Sequence, residues 1–351
     1  MAPRTPEGVR LQCAKHNRGA PMTDNPSQPF YQLMPDTVID AVESRGYLSD
    51  GRILALNSYE NRVYQVGIEE DQPLIAKFYR PRRWSDEQIL EEHRFCFEMA
   101  EQELPVVAPL RNEAGESLFR FGAYRFSLYP RRGGRAPELS DPDHLFQLGH
   151  TLGRIHLIGA VHDFQYRPRL DIKSYGYDSV ELIARDFIPP SLRDAYVSLT
   201  GDLLREVEAA FKLADGVRYI RAHGDCHGGN ILWRDDTPNF VDFDDARMAP
   251  AIQDLWMLLT GDDRNELQLQ LNEVIEGYNE FAEFDPRELH LIEPLRCLRM
   301  LHYSAWLARR WEDPAFPHNF SWFNTERYWG EHLLQLREQF AKLREPVLEL
   351  L

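Results

Sequence analysis

The stretch His223-Gly-Asp-Cys-His-Gly-Gly-Asn-Ile-Leu-Trp233, followed closely by Phe240-Val-Asp-Phe-Asp-Asp-Ala246, constrains this chain more than any other. It sets a carboxylate, Asp225, five residues before an amide, Asn230, and a second carboxylate, Asp242, one short hairpin further on. Apolar β-type residues at 217–222, 231–233 and 239–243 predict three short strands around these polar groups. Two acids and an amide drawn together by one loop and one strand offer the hard oxygen ligands that suit Mg²⁺.

The rest of the chain has room to build around that loop. At 351 residues, 43% of them apolar, it can bury a substantial core in two lobes or one large domain. A net charge of −16 speaks against a nucleic-acid partner, because a polyanion needs a basic face. No apolar run is long enough to span a bilayer, so membrane insertion is not expected. Cys13, Cys96, Cys226 and Cys297 form no CxxC pair, which argues against a disulfide framework or a zinc site and for a cytoplasmic protein. It is expected to work as a monomer. Residues 1–29 lack the apolar segment of a secretion signal and are expected to form a poorly ordered extension.

Along the chain, Val38, Ile39 and Val42 have helical spacing and precede Gly46 as a C-cap. Three β-rich pieces at 53–56, 62–66 and 74–78 predict an antiparallel meander. Ser85 and Gln88 read as a capping box opening a helix to about residue 102, with Ile89, Cys96, Phe97 and Ala100 on one face. Another strand is expected over 123–129. Pro130-Arg-Arg-Gly-Gly134 then breaks the pattern and places the lobe boundary, giving lobes of 30–130 and 131–351. Helices are predicted after Asp141-Pro142, over most of 180–214, and over 288–311. The expected class is α+β.

The Asp225-x-x-x-x-Asn230 spacing matches a kinase catalytic loop, in which the acid orients the acceptor hydroxyl and the amide holds metal. Gly224 stands where such loops usually carry Arg. The variant His-Gly-Asp-x-His-x-x-Asn resembles the aminoglycoside, choline and homoserine kinase group, and implies a two-lobed protein-kinase-like fold with a small antiparallel-sheet N-lobe and a larger, mainly helical C-lobe. Lys77, in Leu-Ile-Ala-Lys-Phe-Tyr, looks like the kinase β3 lysine that meets the nucleotide phosphates. Helical phase puts Glu92 beside Ile89, Cys96 and Met99 and turns Glu91 away, so Glu92 is the expected partner of Lys77. The segment 56–64 would cover the phosphates without a glycine, using Ser58 and backbone N–H groups. Ser127 to Pro130 would hinge against adenine. Asp254 follows Asp242 too closely for a long activation segment and is expected to hold the backbone of the catalytic loop.

The same residues admit other readings. Gly-Asp-x-His-Gly also opens a two-metal phosphoesterase pattern through Asp225 and His227, but no later Gly-Asn-His follows. A non-catalytic nucleotide-binding scaffold would be expected to have lost one of Lys77, Asp225, Asn230 and Asp242. Trp306, Trp311, Trp322, Phe323 and Trp329 could line an acceptor pocket, although aromatics at helical spacing usually form core. His223 is expected to bond backbone, and His150, His156 and His227 to be satisfied core imidazoles. Cys226, beside a carboxylate, is expected to be inert. The cluster Lys77, Arg80, Arg82 and Arg83 fits either an anion site or a solvated approach to a helix. From the residues alone, protein and small-molecule acceptors remain equally open.

Asn57-Ser-Tyr-Glu-Asn-Arg-Val-Tyr64, Lys77-Phe-Tyr-Arg-Pro81, His223 to Arg234, Gln253-Asp-Leu-Trp-Met-Leu258 and Asp313-Pro-Ala-Phe-Pro317 together resemble the bacterial stress response kinase A family, from about residue 31 to 345. The resemblance implies a cytoplasmic, Mg²⁺-dependent Ser/Thr protein kinase that uses ATP and is linked to envelope and oxidative stress. It turns the open acceptor question towards proteins.

Overall fold

The computed structural model describes residues 29–350, so the extension expected over 1–29 lies, Pro29 apart, outside the described residues. A short helix α1 (Pro35–Glu43) leads into β1 (Ser49–Leu56), β2 (Arg62–Ile68) and β3 (Leu74–Phe78), the expected meander. β4 (Phe119–Phe121) and β5 (Tyr124–Pro130) complete an antiparallel sheet of order β1-β2-β3-β5-β4. Val38, Val42, Val66, Ala76, Phe78 and Phe126 fill one face of it. The register sets Lys77 opposite Val63 on one side and Ser127 on the other, at the middle of the sheet.

Between β3 and β4 runs α2 (Asp86–Glu101), opened by the expected capping box: Ser85 Oγ accepts from the Gln88 N–H, and Gln88 Oε1 accepts from the Ser85 N–H. Its buried stripe is rotated from the expected one. Phe95 and Met99 are buried with Ile89 and Cys96, while Ala100 faces solvent. The reason is that Phe95, Cys96 and Met99 pack into the core of the second lobe. This helix therefore ties the two lobes together.

The second lobe starts with α3 (Pro142–Gly159), capped by Asp141. The helix expected over 180–214 is two helices, α4 (Asp178–Asp186) and α5 (Pro190–Leu213), because Pro189 and Pro190 cannot continue a helix that precedes them. Next come β6 (Ile220–Ala222), β7 (Ile231–Arg234), β8 (Thr237–Phe240) and β9 (Arg247–Ala249). β6 pairs with β9 and β7 with β8, so two small hairpin-like sheets bracket the loops of interest. The strand expected to continue to 243 stops at Phe240, since Asp242 adopts a left-handed conformation (φ 59°, ψ 61°).

Helices α6 (Ile252–Leu255), α7 (Arg264–Asn279), α8 (Ile292–Ala308), α9 (Ala315–Asn319) and α10 (Glu326–Lys342) complete the lobe. A 3₁₀ turn over Pro286–Leu291 takes the first part of the helix expected from 288. α3 and α7 approach so closely that a Cβ on Gly149 would lie 1.9 Å from the Val274 carbonyl oxygen, and one on Gly277 would lie 2.1 Å from that of Phe146. Only glycine fits either crossing. Among the described residues no helix is long and apolar enough to cross a membrane.

Candidate active site

Leaving β6, the chain turns at Gly224 with φ +84°, and a Cβ there would lie 2.2 Å from the Asp245 carbonyl oxygen. The glycine in place of the usual Arg is thus required by both conformation and space. Asp254, at the start of α6, is fully buried and accepts hydrogen bonds from the backbone N–H groups of His223 (2.7 Å) and Gly224 (2.8 Å). His156 Nε2 lies 3.0 Å from the same carboxylate, and Tyr278 Oη lies 3.1 Å from His156 Nδ1. Burial works against the charge of Asp254, but these bonds hold its carboxyl below the ordinary range. Its expected role as the anchor of the loop is met, as is that of His223, whose Nε2 is 2.9 Å from the Val241 carbonyl oxygen. Asn230 Nδ2 donates to the Asp225 carbonyl oxygen at 2.9 Å, closing the loop on itself.

The loop opens into a cleft of about 690 Å³ between the lobes. Ser58, Asp225, Asn230 and Asp242 all line it, so one space brings together four of the residues singled out from sequence. Asp225 Oδ1 is paired with Arg299 of α8, and His227 Nε2 lies 3.6 Å from Asp225 Oδ2. Ser58 Oγ donates to the Asn61 carbonyl oxygen at 3.3 Å and so bends the β1–β2 loop at the rim. Lys77, nearly buried, places Nζ 2.9 Å from Asp242 and 3.1 Å from Asp244. Burial opposes its charge, yet Asp242, Asp244 and Glu92 outweigh this and hold the ammonium pKa well above its usual value.

The Lys77–Glu92 ion pair expected from helical phase is not formed. Glu92 is buried, but its Oε2 lies 3.7 Å from Arg167 Nη1 and has no hydrogen-bond partner among the described residues. Burial pushes its carboxyl up to about 7, with Lys77 and Arg167 pulling the other way. Asp244 has taken the lysine. Glu91 does not point outward either: its carboxylate accepts from the N–H groups of Gln165 (2.6 Å), Tyr166 (2.9 Å) and Arg167 (2.8 Å). Neighbouring glutamates on one helix are both buried because the 165–167 segment meets both, through its backbone N–H groups at Glu91 and the Arg167 side chain at Glu92.

Several residues of the cleft were not foreseen. Asp244 and Asp245 follow Asp242 after one residue, Phe243, and Arg83 bridges them, which holds the Asp244 carboxyl at about 2 against its burial. Glu60, on the β1–β2 loop, meets Arg80 Nε (3.2 Å), Arg310 Nε (2.6 Å) and Trp306 Nε1 (2.6 Å), while Arg80 also reaches Asp313 (2.8 Å). Arg80 and Arg83 are therefore neither an open anion site nor a solvated approach; they join the lobes. Their signal in the sequence was only their type. His227, expected in the core, sits half-exposed at the cleft because Asp225 draws it there. His156 is buried as expected, and burial raises the Cys226 thiol pKa well above its ordinary value, in line with an inert residue. Phe323 and Trp329 are core, whereas Trp306 lines the cleft and Trp322 is 46% exposed.

Comparison with known proteins agrees with this geometry. The profile of the phosphotransferase enzyme family (APH) matches residues 52–292. Stress response kinase A of Escherichia coli strain K12 is 44% identical over 328 residues, covering 93% of this chain and 98% of its own length. The chain belongs to the stress response kinase A family of phosphotransferases. It is an ATP-dependent phosphotransferase with a two-lobed α+β, protein-kinase-like fold. Serine/threonine protein kinase RdoA of Salmonella typhimurium is likewise 44% identical, over 94% of this chain and 99% of its own. Among solved structures, amicoumacin kinase hAmiN superimposes with a TM-score of 0.66 at 20% identity, over 87% of this chain and 93% of its own. A microcompartment-associated aminopropanol kinase does so with 0.65 at 16% identity, over 87% and 95%. At such identities these two speak for the fold alone.

Proposed function

We propose that this member of the family transfers the ATP γ-phosphoryl group to a Ser or Thr hydroxyl of a protein, in a bacterial stress response in the cytoplasm. The observation that carries the catalytic part is the convergence of Asp225, Asn230, Asp242 and the Lys77–Asp242 contact on one cleft between the lobes. The protein acceptor follows the relatives that are 44% identical over nearly the whole chain, one of which is named a serine/threonine protein kinase.

In this reading Lys77 meets the α and β phosphates from the middle of the sheet, Ser58 and neighbouring N–H groups close over them, and the Ser127–Pro130 segment borders adenine. Asp225 accepts a hydrogen bond from the acceptor hydroxyl and aligns it with the γ-phosphorus. The bond from phosphorus to the bridging β,γ-oxygen breaks as the bond to the acceptor oxygen forms; the hydroxyl proton passes to Asp225, and ADP leaves. Glu92 stands behind Lys77 and adds to the field that keeps it charged. The 30–130 and 131–351 division makes the two walls of the cleft separate lobes.

Asp242 and Asn230 supply the hard oxygen donors that Mg²⁺ prefers, and the left-handed turn at Asp242 leaves its side chain 53% exposed at the cleft. Among the described residues no group of three or more His, Cys, Asp or Glu side chains stands ready to hold a metal. Mg²⁺ binds through one or two protein ligands together with nucleotide phosphates rather than in a closed protein cage. When bound there it would neutralise phosphate charge.

A second reading, a small-molecule hydroxyl as acceptor, is favoured by the solved structures above, an amicoumacin kinase and an aminopropanol kinase. On fold likeness this alternative has the better support. Purified protein with Mg²⁺ and γ-labelled ATP, offered generic Ser/Thr proteins and separately a panel of hydroxyl compounds, tests both. Asp225→Ala is expected to abolish transfer while ATP binding persists. Label on small molecules only overturns the protein reading, and unchanged transfer by Asp225→Ala overturns the site.

A further inference from the structure

The acceptor side of the cleft is a stripe along α8 and its C-terminal end. Arg299, His302, Tyr303, Trp306 and Arg309 line the cleft at steps of three, one, three and three residues, which brings them onto one side of the helix. An arginine stands at each end, aromatic rings lie between, and none of the five is a carboxylate. Such a wall is unsuited to a cationic acceptor.

The ion pairs of the cleft sharpen this. Glu60 is matched by Arg80 and Arg310, Asp242 and Asp244 by Lys77, and Asp245 by Arg83 and Arg247. Arg309 is different: it is exposed at the rim of the cleft, and among the described residues its guanidinium has no hydrogen bond and no carboxylate within 4.0 Å, Asp178 attracting it only from farther off. The partner of Arg299 is Asp225 itself, the group assigned to the acceptor hydroxyl. Once that carboxylate turns to a hydroxyl, Arg299 shares it and can take a second anion. Between the two arginines, His302 Nδ1 is buried without a partner, and burial lowers its pKa to about 3, so the ring adds polarity but no charge at neutral pH.

We propose that the acceptor carries anionic groups beside the hydroxyl it offers, and that Arg299 and Arg309 are the specificity-determining residues that receive them. Their source is acidic residues flanking a Ser or Thr; the source rests on the protein-acceptor reading above, whereas the charge does not. Ten residues of helix separate the arginines by roughly 15 Å, about the span of four or five extended residues. One acidic residue then lies next to the phosphorylated Ser or Thr at Arg299, and a second lies about four residues away at Arg309.

The test uses the full chain with Mg²⁺ and γ-labelled ATP. Three Ser peptides differ only one and four residues from the Ser, carrying Glu, Ala or Lys there. Three hydroxyl compounds run in parallel: a sugar phosphate, a neutral sugar and a cationic aminosugar. The Glu peptides are expected to exceed the Ala peptides at least about tenfold in kcat/KM, mainly through KM, with the Lys peptides lowest. Arg309→Gln should remove most of the preference at the four-residue position, Arg309→Lys should restore it, and Arg309→Glu should favour Lys there. Label confined to small molecules, with the sugar phosphate preferred, removes the protein source and keeps the charge assignment. Equal use of all charges, or preference for Lys peptides or the aminosugar, overturns it. If nothing is labelled, fluorescence anisotropy of the same peptides on the Mg²⁺-ADP complex decides: tighter binding of the Glu peptide, lost in Arg309→Glu, supports the assignment, and equal binding overturns it.

Discussion

Replacing Asp254 with alanine tests whether the catalytic loop is held from behind by one buried carboxylate. The side chain accepts from two backbone N–H groups, at 2.7 and 2.8 Å, and meets His156 Nε2 at 3.0 Å, with no solvent exposure. Removing it leaves two buried amides and one imidazole without an acceptor; at about 1–3 kcal/mol for each unsatisfied buried group, the loss is about 3–9 kcal/mol. That is a large part of the roughly 5–15 kcal/mol that stabilises an ordinary domain. Asp254→Asn keeps the volume but has a weaker acceptor and turns a donor towards donors, so about 1–3 kcal/mol is expected. Urea unfolding followed by circular dichroism reads both, and phosphotransfer measured where each variant remains folded should show kcat falling with little change in the KM for ATP. Because the folded carboxyl is held below its unfolded pKa, the wild-type advantage over Asp254→Asn is complete above the ordinary carboxylate range and shrinks as pH falls through and below it. A stability change under about 0.5 kcal/mol for Asp254→Ala, the scatter of ordinary surface substitutions, would refute the anchoring role.

Three further expectations concern the cleft. Asp242→Ala should remove the Mg²⁺-dependent part of ATP affinity, read by nucleotide titration with and without Mg²⁺; equal affinity in both variants would contradict its assignment. Glu60→Ala leaves Arg80, Arg83 and Arg310 facing one another with little solvent, a loss of about 3–5 kcal/mol in thermal or denaturant unfolding, with Glu60→Gln milder. Glu92 has its carboxyl raised to about 7 by burial, so its protonated form suits the fold: wild type should lose stability relative to Glu92→Gln as pH rises from about 5 to 8, by at most about 3 kcal/mol. A pH-independent difference between the two proteins would show that Glu92 ionises normally.

What could be read from sequence divides by range. The capping box at Ser85 and Gln88, the strand that carries Lys77 and the 223–230 loop are local patterns, and local patterns survive folding because their partners lie within a few residues. Asp254 was also legible, since its nearness to Asp242 left little else for it to do. The Lys77 partner was not. Helical phase puts Glu92 on the buried side correctly, but which acid closes on the ammonium depends on Asp244, 167 residues away, and on Arg83 and Arg167 around it. The break at Pro189-Pro190 was plain in the residues, yet helical periodicity on both sides concealed it. Arg299 carried no signal, because an arginine on an amphipathic helix looks the same whether it meets solvent or Asp225.

These particulars separate two parts of the machine by the way each is held. Asp225 and Asn230 stand on a loop whose every turn is fixed inside the second lobe: Gly224 against Asp245, Asp254 beneath two amides, His223 on Val241, Asn230 on Asp225. None of those contacts reaches the first lobe, and the five-residue step from Asp242 to β9 leaves no room for a long segment whose ordering could switch them. The contacts between lobes are of another kind. Arg80 with Asp313, Glu60 with Arg310 and Trp306, and Arg83 with Asp244 and Asp245 are charged groups that water could also satisfy if the lobes parted. Opening there would expose ion pairs, whereas opening the loop would leave buried amides without acceptors, which costs more for each group lost. Motion that admits nucleotide and acceptor therefore belongs to the seam between the lobes, and the catalytic loop stays assembled through it.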